Sequence, residues 1–241
     1  MWRATLYPTA GEAGGSYAAP SSGSGAWGAA VDAETAAARS LTEAARRAGT
    51  KARRYCVANG IRRLGTLTYA GDGCFDPGAL RRDVADFFRE LRAELGEPFP
   101  YLWVPEWHLK GHGLHAHFGL GRYVRRAAIV QAWGHGFIDI RLLGDMPVGS
   151  GRAEQARKAA SYLGKYVAKT FATEDLRGRH RYEVAQGFQP TAVRIEGRTD
   201  VEILERASEH MGAEPSLRWY SNERPEWRGP PALWFQWATP L

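Results

Sequence analysis

Residues 101–121 constrain the fold of this chain more than any other stretch. They read YLWVPEWHLKGHGLHAHFGLG, in which two apolar runs of strand length flank the short segment 110–113. That segment carries two glycines, which is typical of a tight turn between paired strands. We therefore predict a β-hairpin, which requires an antiparallel sheet in the fold.

The predicted hairpin brings four polar side chains to one face. With the turn centred on positions 111 and 112, His108 faces His115 and Glu106 faces His117. Because side chains alternate between the two faces of a strand, these four project from the same side. Three imidazoles and a carboxylate suit a divalent metal ion. A His-x-His pair by itself is more often only the polar face of a strand, so the interpretation needs support from elsewhere.

That support comes from a predicted helix at 155–169, QARKAASYLGKYVAK. Its small and apolar residues repeat at helical spacing, and Tyr162 and Tyr166 lie one turn apart at the border of this stripe. Beyond the tyrosines lie three lysines: Lys158, Lys165 and Lys169. Tyrosines at such spacing are more often boundary residues of a core than nucleophiles, but the neighbouring lysines favour a role at a site.

Three motifs together resemble the HUH endonucleases, the superfamily of relaxases and rolling-circle replication initiators. They are LGTLTY at 64–69, LHAHF at 114–118 and YLGKYVAK at 162–169, in the order that the family has them. The nearest resemblance is to initiators with a Tyr-x-x-x-Tyr pair, which are found on bacterial plasmids, integrative elements and small phages. Ala116 stands where a bulkier apolar residue is common in the family.

The resemblance implies a metal-dependent, sequence-specific enzyme that nicks and rejoins single-stranded DNA and so initiates and terminates rolling-circle replication. The implied ion is Mg²⁺ or Mn²⁺, held by His115, His117 and a third ligand. We favour Glu106 as that ligand over His108, because an oxygen donor suits these ions better than a third imidazole. Fe²⁺ and Zn²⁺ stay open as alternatives.

A tyrosine would take the 5′ phosphate of the cut strand in a covalent phosphotyrosine. Either Tyr162 or Tyr166 can be that nucleophile, since each is followed three residues later by a lysine. Lys165 and Lys169 would stabilise charge on the phosphate oxygens. A conjugative relaxase or an HUH transposase would share this chemistry. A noncatalytic RNA-recognition-like module would share the fold, but it calls for aromatic residues where this chain has its histidine pair.

The pattern over 64–143 predicts the α+β class. A strand at 64–69 leads through Asp76 and Pro77 into a helix to Leu95, and the hairpin, a short helix at 125–133 and a strand at 136–143 follow. The order β-α-β-β-α-β is that of a ferredoxin-like, RNA-recognition-like palm with an antiparallel sheet. The histidine pair would lie on the central third strand, on the face that the two helices leave open, and the tyrosine helix would follow the fourth strand.

The predicted domains are 1–50, 51–175 and 176–241. In the first, 8–30 is rich in Gly, Ala, Ser and Pro and is expected to be a flexible arm, and 32–48 is expected to be an alanine-rich helix that stops at Gly49. The second is the endonuclease core. The third is an extension packed on that core, whose tryptophans either pin it in place or stack on bases.

The charge balance favours a polyanionic partner, since the formal net charge is +6 and the isoelectric point is about 9.5. The expected partner is single-stranded or locally melted origin DNA, with a host helicase and polymerase nearby. The candidate DNA-binding residues, for which a solvated basic face is an equally good interpretation, are Arg53, Arg54, Arg62, Arg63, Lys158, Arg179 and Arg181. Two cysteines and no membrane-spanning apolar run indicate a bacterial cytoplasmic protein with no membrane partner.

Overall fold

The computed structural model describes residues 1–18, 32–108, 111–142, 151–172 and 180–238. The strands in these residues are β1 (Trp2–Tyr7), β2 (Glu12–Tyr17), β3 (Arg63–Tyr69), β4 (Tyr101–Trp107), β5 (Leu114–Leu120), β6 (Gly136–Leu142), β7 (Glu183–Val184), β8 (Val193–Gly197), β9 (Leu217–Tyr220) and β10 (Ala232–Gln236). The helices are α1 (Ala33–Ala58), α2 (Pro77–Leu95), α3 (Arg126–Trp133), α4 (Arg152–Ala172) and α5 (Asp200–Met211).

The chain forms two compact units. The central unit is Ala37–Phe188, and the second unit combines Met1–Ala36 with Gln189–Leu241. Each unit contains one five-stranded antiparallel sheet. The predicted α+β class is confirmed.

The sheet of the central unit has the strand order β6-β3-β5-β4-β7, so β5, which carries the histidine pair, lies inside it. Between β3 and β6 the elements follow one another as strand, helix, strand, strand, helix, strand. The short strand β7 pairs with β4 and extends this sheet beyond residue 175, where the sequence placed the end of the core.

One face of the central sheet packs on α2 and α3, through aromatic side chains such as Phe87, Phe118 and Trp133. The predicted start of α2 is confirmed: the Asp76 carboxylate accepts from the backbone N–H groups of the second and third helical residues, at 2.8 and 3.1 Å. Such a cap satisfies donors that the first turn of a helix cannot pair internally.

The opposite face of this sheet carries a second cluster, in which α1 and α4 pack on Leu64 and Val104. The prediction of a face left open by helices was therefore wrong for this part of the sheet. The prediction that the first helix stops at Gly49 was also wrong, since α1 continues to Ala58. A glycine costs a helix only about 1 kcal/mol, and the burial of Tyr55 and its neighbours beyond that glycine outweighs this cost.

The second unit has the strand order β8-β1-β2-β10-β9 and packs its core against α5. The flexible arm predicted from residue 8 was wrong for the residues that the structure describes, because Glu12–Tyr17 form β2. The small residues of β2 allow close strand approach: a Cβ on Gly15 would lie 2.3 Å from the Arg3 carbonyl oxygen. Neighbouring strands supply the bulky partners that the segment lacks, Leu6 and Phe235 among them. Residues 19–31 of the predicted arm lie outside the described residues.

The tryptophan-rich tail is anchored within the second unit. Trp237 is 1% exposed, and its indole N–H donates to the Ala213 carbonyl at 2.7 Å. Trp219 and Trp227 meet edge to face at 5.4 Å.

No helix in the described part of the chain combines the length and the apolar character needed to cross a membrane.

Candidate active site

The predicted hairpin exists, but its register differs by two residues from the prediction. Glu106 pairs with His115 and Val104 with His117, while the His108 N–H donates to the Gly113 carbonyl at 2.9 Å. Because side chains alternate along a strand, a shift of two residues keeps every side chain on its predicted face.

Gly113 explains the shift. It has φ +77°, and a Cβ on it would lie 2.3 Å from the Cys74 carbonyl oxygen. That same oxygen accepts from the Leu114 N–H at 2.7 Å. The loop before α2 therefore fixes the place where β5 begins, and the turn takes up more residues than the two predicted.

Both histidines of the pair are held at Nδ1 by threonines of the neighbouring strand β3. Thr66 Oγ1 lies 3.1 Å from His117 Nδ1, and Thr68 Oγ1 lies 3.3 Å from His115 Nδ1. Sequence reasoning assigned these threonines to a motif but gave them no role. Their spacing of two residues, equal to that of the histidines, was the signal that could have revealed it.

Glu106 links the histidine pair to the tyrosine helix. Its Oε2 lies 2.6 Å from His117 Nε2, and its Oε1 accepts from Lys169 Nζ at 2.8 Å. Burial by itself would raise the pKa of the Glu106 carboxyl, but the hydrogen bonds and charges of Lys169 and His117 outweigh it and lower that pKa. The carboxylate is therefore ionised at neutral pH.

Both imidazoles of the pair are neutral at neutral pH. Burial lowers the pKa of His117 in spite of the opposing effect of Glu106, and burial together with neighbouring imidazoles lowers the pKa of His115. The ring of His108 stacks on that of His115, with the centroids 4.6 Å apart. Neutral imidazoles are the form that binds metal ions.

The donor types at this site fit a divalent ion. His115 Nε2 is buried and has no hydrogen-bond partner in the described structure, as expected of a nitrogen that an ion would satisfy. In the described residues no group of three or more His, Cys, Asp or Glu side chains is placed to hold an ion. The contacts of Glu106 show why: its two oxygens face Lys169 and His117.

The tyrosine helix α4 lies against this site. The Tyr166 ring stacks on the His117 ring, with centroids 3.8 Å apart and planes 20° apart. Its hydroxyl donates to the Tyr162 hydroxyl at 2.9 Å, and Lys169 Nζ lies 5.2 Å from the Tyr166 ring centre. Lys165 is exposed on the same helix. The structure thus brings together residues that the sequence placed in separate motifs.

The candidate DNA-binding residues are more dispersed. Arg181 donates to the Thr170 carbonyl near the end of α4, and Arg63 lies over the Tyr123 ring at 5.1 Å. Lys158 is exposed on α4, whereas Arg179 lies outside the described residues. Three more are partly buried: Arg53 and Arg54 on α1, and Arg62 just before β3. DNA contact by any of them stays a prediction.

Residues 62–171 match a family model of replication-associated proteins, the ORF2 family. This Rep-like segment covers less than half of the 241 residues, but it runs from β3 to α4 and so includes every element of the site. The match is consistent with a rolling-circle replication protein, as the motif resemblance implies. No curated protein and no solved structure matches the chain.

Proposed function

We propose that this protein is a metal-dependent nickase and ligase of single-stranded DNA that starts and ends rolling-circle replication, built on a ferredoxin-like palm. The observation that carries the proposal is the stacking of Tyr166 on His117 at 3.8 Å. A phenol from α4 and an imidazole from β5 meet beside a carboxylate from β4. The match of the Rep-like segment to replication-associated proteins supports the replication role.

The residues that would hold the ion are His115, His117 and Glu106, and the ion would be Mg²⁺ or Mn²⁺. When bound, such an ion polarises the scissile phosphate and neutralises charge on its oxygens. Two neutral imidazoles and an ionised carboxylate are the protonation states that this task requires.

The chain's own residues carry out the transfer. The Tyr166 oxygen attacks phosphorus, a new P–O bond forms and the bond from phosphorus to the 3′ oxygen breaks. The phenol loses its proton along its hydrogen bond to the Tyr162 hydroxyl, and the departing 3′ oxygen takes up a proton, so the step is neutral overall. The Lys169 ammonium near the Tyr166 ring stabilises charge on the phosphate.

The second tyrosine allows termination. The aryl phosphate ester is activated, so an attacking hydroxyl displaces the tyrosine without ATP and rejoins a strand. We assign the first attack to Tyr166, because it lies on the histidine pair, and a later attack to Tyr162, which is one helical turn away. One tyrosine then holds a strand end while the other cuts a second site.

A library of random-sequence single-stranded oligonucleotides with Mn²⁺ tests the proposal. Wild-type protein should form a protein–DNA adduct that survives denaturation, and EDTA should abolish it. Tyr166→Phe should prevent the adduct on first encounter, and Tyr123→Phe, a matched change at an exposed tyrosine after β5, should not. An adduct that persists in the double variant Tyr162→Phe, Tyr166→Phe would overturn the proposal.

A further inference from the structure

We infer that Thr66 and Thr68 are positioning residues, whose hydroxyls aim the imidazoles of His117 and His115 at the ion. This inference rests on the proposed function, because it gives the threonines a purpose only if an ion binds the histidine pair.

The geometry comes from a match between two strands. Thr66 pairs with His117 across β3 and β5, and each threonine hydroxyl lies within hydrogen-bond distance of one Nδ1, at 3.1 and 3.3 Å. Leu67, between the threonines, is fully buried in the cluster on the opposite face. A Thr-x-Thr strand beside a His-x-His strand thus forms a ladder of two hydroxyl–imidazole pairs.

The ladder leaves only Nε2 of each ring for other partners. His117 Nε2 faces Glu106, and His115 Nε2 is buried with no hydrogen-bond partner in the described structure. A buried nitrogen in that condition is rare in a folded protein and calls for a partner that the chain does not supply. Both Nε2 atoms belong to rings that are fixed at the other end.

A hydroxyl suits this task because it both donates and accepts. When His117 Nε2–H donates to the Glu106 carboxylate, Nδ1 is an acceptor and the Thr66 hydroxyl donates to it. When Nε2 binds an ion, Nδ1 carries the proton and the same hydroxyl accepts. The hydroxyl rotates between these roles without moving the ring. Valine has the same shape as threonine but serves neither state.

The test compares Thr66→Val and Thr68→Val with Thr66→Ser and Thr68→Ser. Valine keeps the branched shape and removes the hydroxyl, whereas serine keeps the hydroxyl. Mn²⁺ affinity measured by calorimetry should fall by about 10- to 100-fold in each valine variant. It should stay within a few-fold of wild type in each serine variant, and in Thr5→Val, a strand threonine of the second unit.

A second readout needs no ion. The ¹⁵N chemical shifts of the His117 ring in the metal-free protein report which nitrogen carries the proton, and they should change in Thr66→Val but not in Thr66→Ser. A purely structural role would lower the melting temperature without moving these shifts.

The outcomes separate this inference from the proposed function. Valine variants that bind Mn²⁺ as wild type does, with unchanged His117 shifts, overturn the positioning role while wild-type adduct formation still supports the nickase. Wild-type protein that neither binds Mn²⁺ nor forms the adduct overturns both.

Discussion

Replacement of Lys169 by methionine should move metal binding and strand cleavage in opposite directions. The Lys169 ammonium lies 2.8 Å from Glu106 Oε1, on the carboxylate that we assign to the ion. A cation bound there must compete with this ammonium. The same ammonium lies near Tyr166, where it would stabilise the phosphate during transfer.

The magnitude follows from the exposure of the pair. The Lys169 side chain is 59% exposed and that of Glu106 is 21% exposed, so the ion pair contributes at most about 1 kcal/mol. Releasing about 0.5 to 1 kcal/mol of competition should lower the Kd for Mn²⁺ by about two- to fivefold. The loss of one donor to the reacting phosphate should slow adduct formation by about 10²- to 10³-fold.

Calorimetric Mn²⁺ titration and the rate of adduct formation measure the two effects. Lys165→Met is the matched control, since it removes the same charge from an exposed lysine of the same helix. Its Mn²⁺ affinity should change less than that of Lys169→Met. Weaker Mn²⁺ binding by Lys169→Met than by wild type would refute the idea that Lys169 competes for the carboxylate.

Three further predictions concern stability, each measured by urea unfolding. Gly113→Ala should lower the free energy of unfolding by about 1 to 3 kcal/mol, because φ is +77° and a Cβ would meet the Cys74 carbonyl, whereas Gly49→Ala, in open space on α1, should raise it by up to about 1 kcal/mol. Asp76→Ala should cost about 1 kcal/mol through the lost helix cap. Burial raises the pKa of the Cys56 thiol from 9.0 to about 12, so its contribution is complete below pH 9 and is lost as the pH rises towards 12; Cys56→Ala should make the alkaline loss of stability shallower by up to about 1.4 kcal/mol per pH unit.

Each of these predictions has a contrary outcome. Equal effects of alanine at Gly113 and Gly49 would show that the contact with Cys74 does not set the hairpin register. An unchanged stability of Asp76→Ala would show that water or another group replaces the cap. An alkaline slope that is the same with and without the Cys56 thiol would place the pH dependence in other groups.

The sequence predicted what depends on local periodicity. Alternation along β4 and β5 placed Glu106, His115 and His117 on one face, and that result holds because a register shift of two residues preserves parity. The register itself depends on Gly113 and its contact with Cys74, a residue far away in the chain. No pattern within the hairpin contains that contact.

The parts that sequence reasoning missed depend on partners from elsewhere in the fold. The composition of β2 indicated disorder, but β1 and β10 supply the apolar side chains that it lacks. Helix α1 passes Gly49 because its second half is buried. The stacking of Tyr166 on His117 joins two motifs whose distance in space no spacing in the sequence gives.

The most direct test of the account is the position of the covalent bond. Trypsin cuts after lysine, so Tyr162 falls in the peptide AASYLGK (159–165) and Tyr166 in YVAK (166–169). Adduct formed by wild-type protein with the oligonucleotide library and Mn²⁺ would be treated with nuclease and trypsin and then analysed by mass spectrometry. The account predicts a nucleotide mass on YVAK after the first cleavage. An adduct with that mass on neither tyrosine peptide would contradict the account.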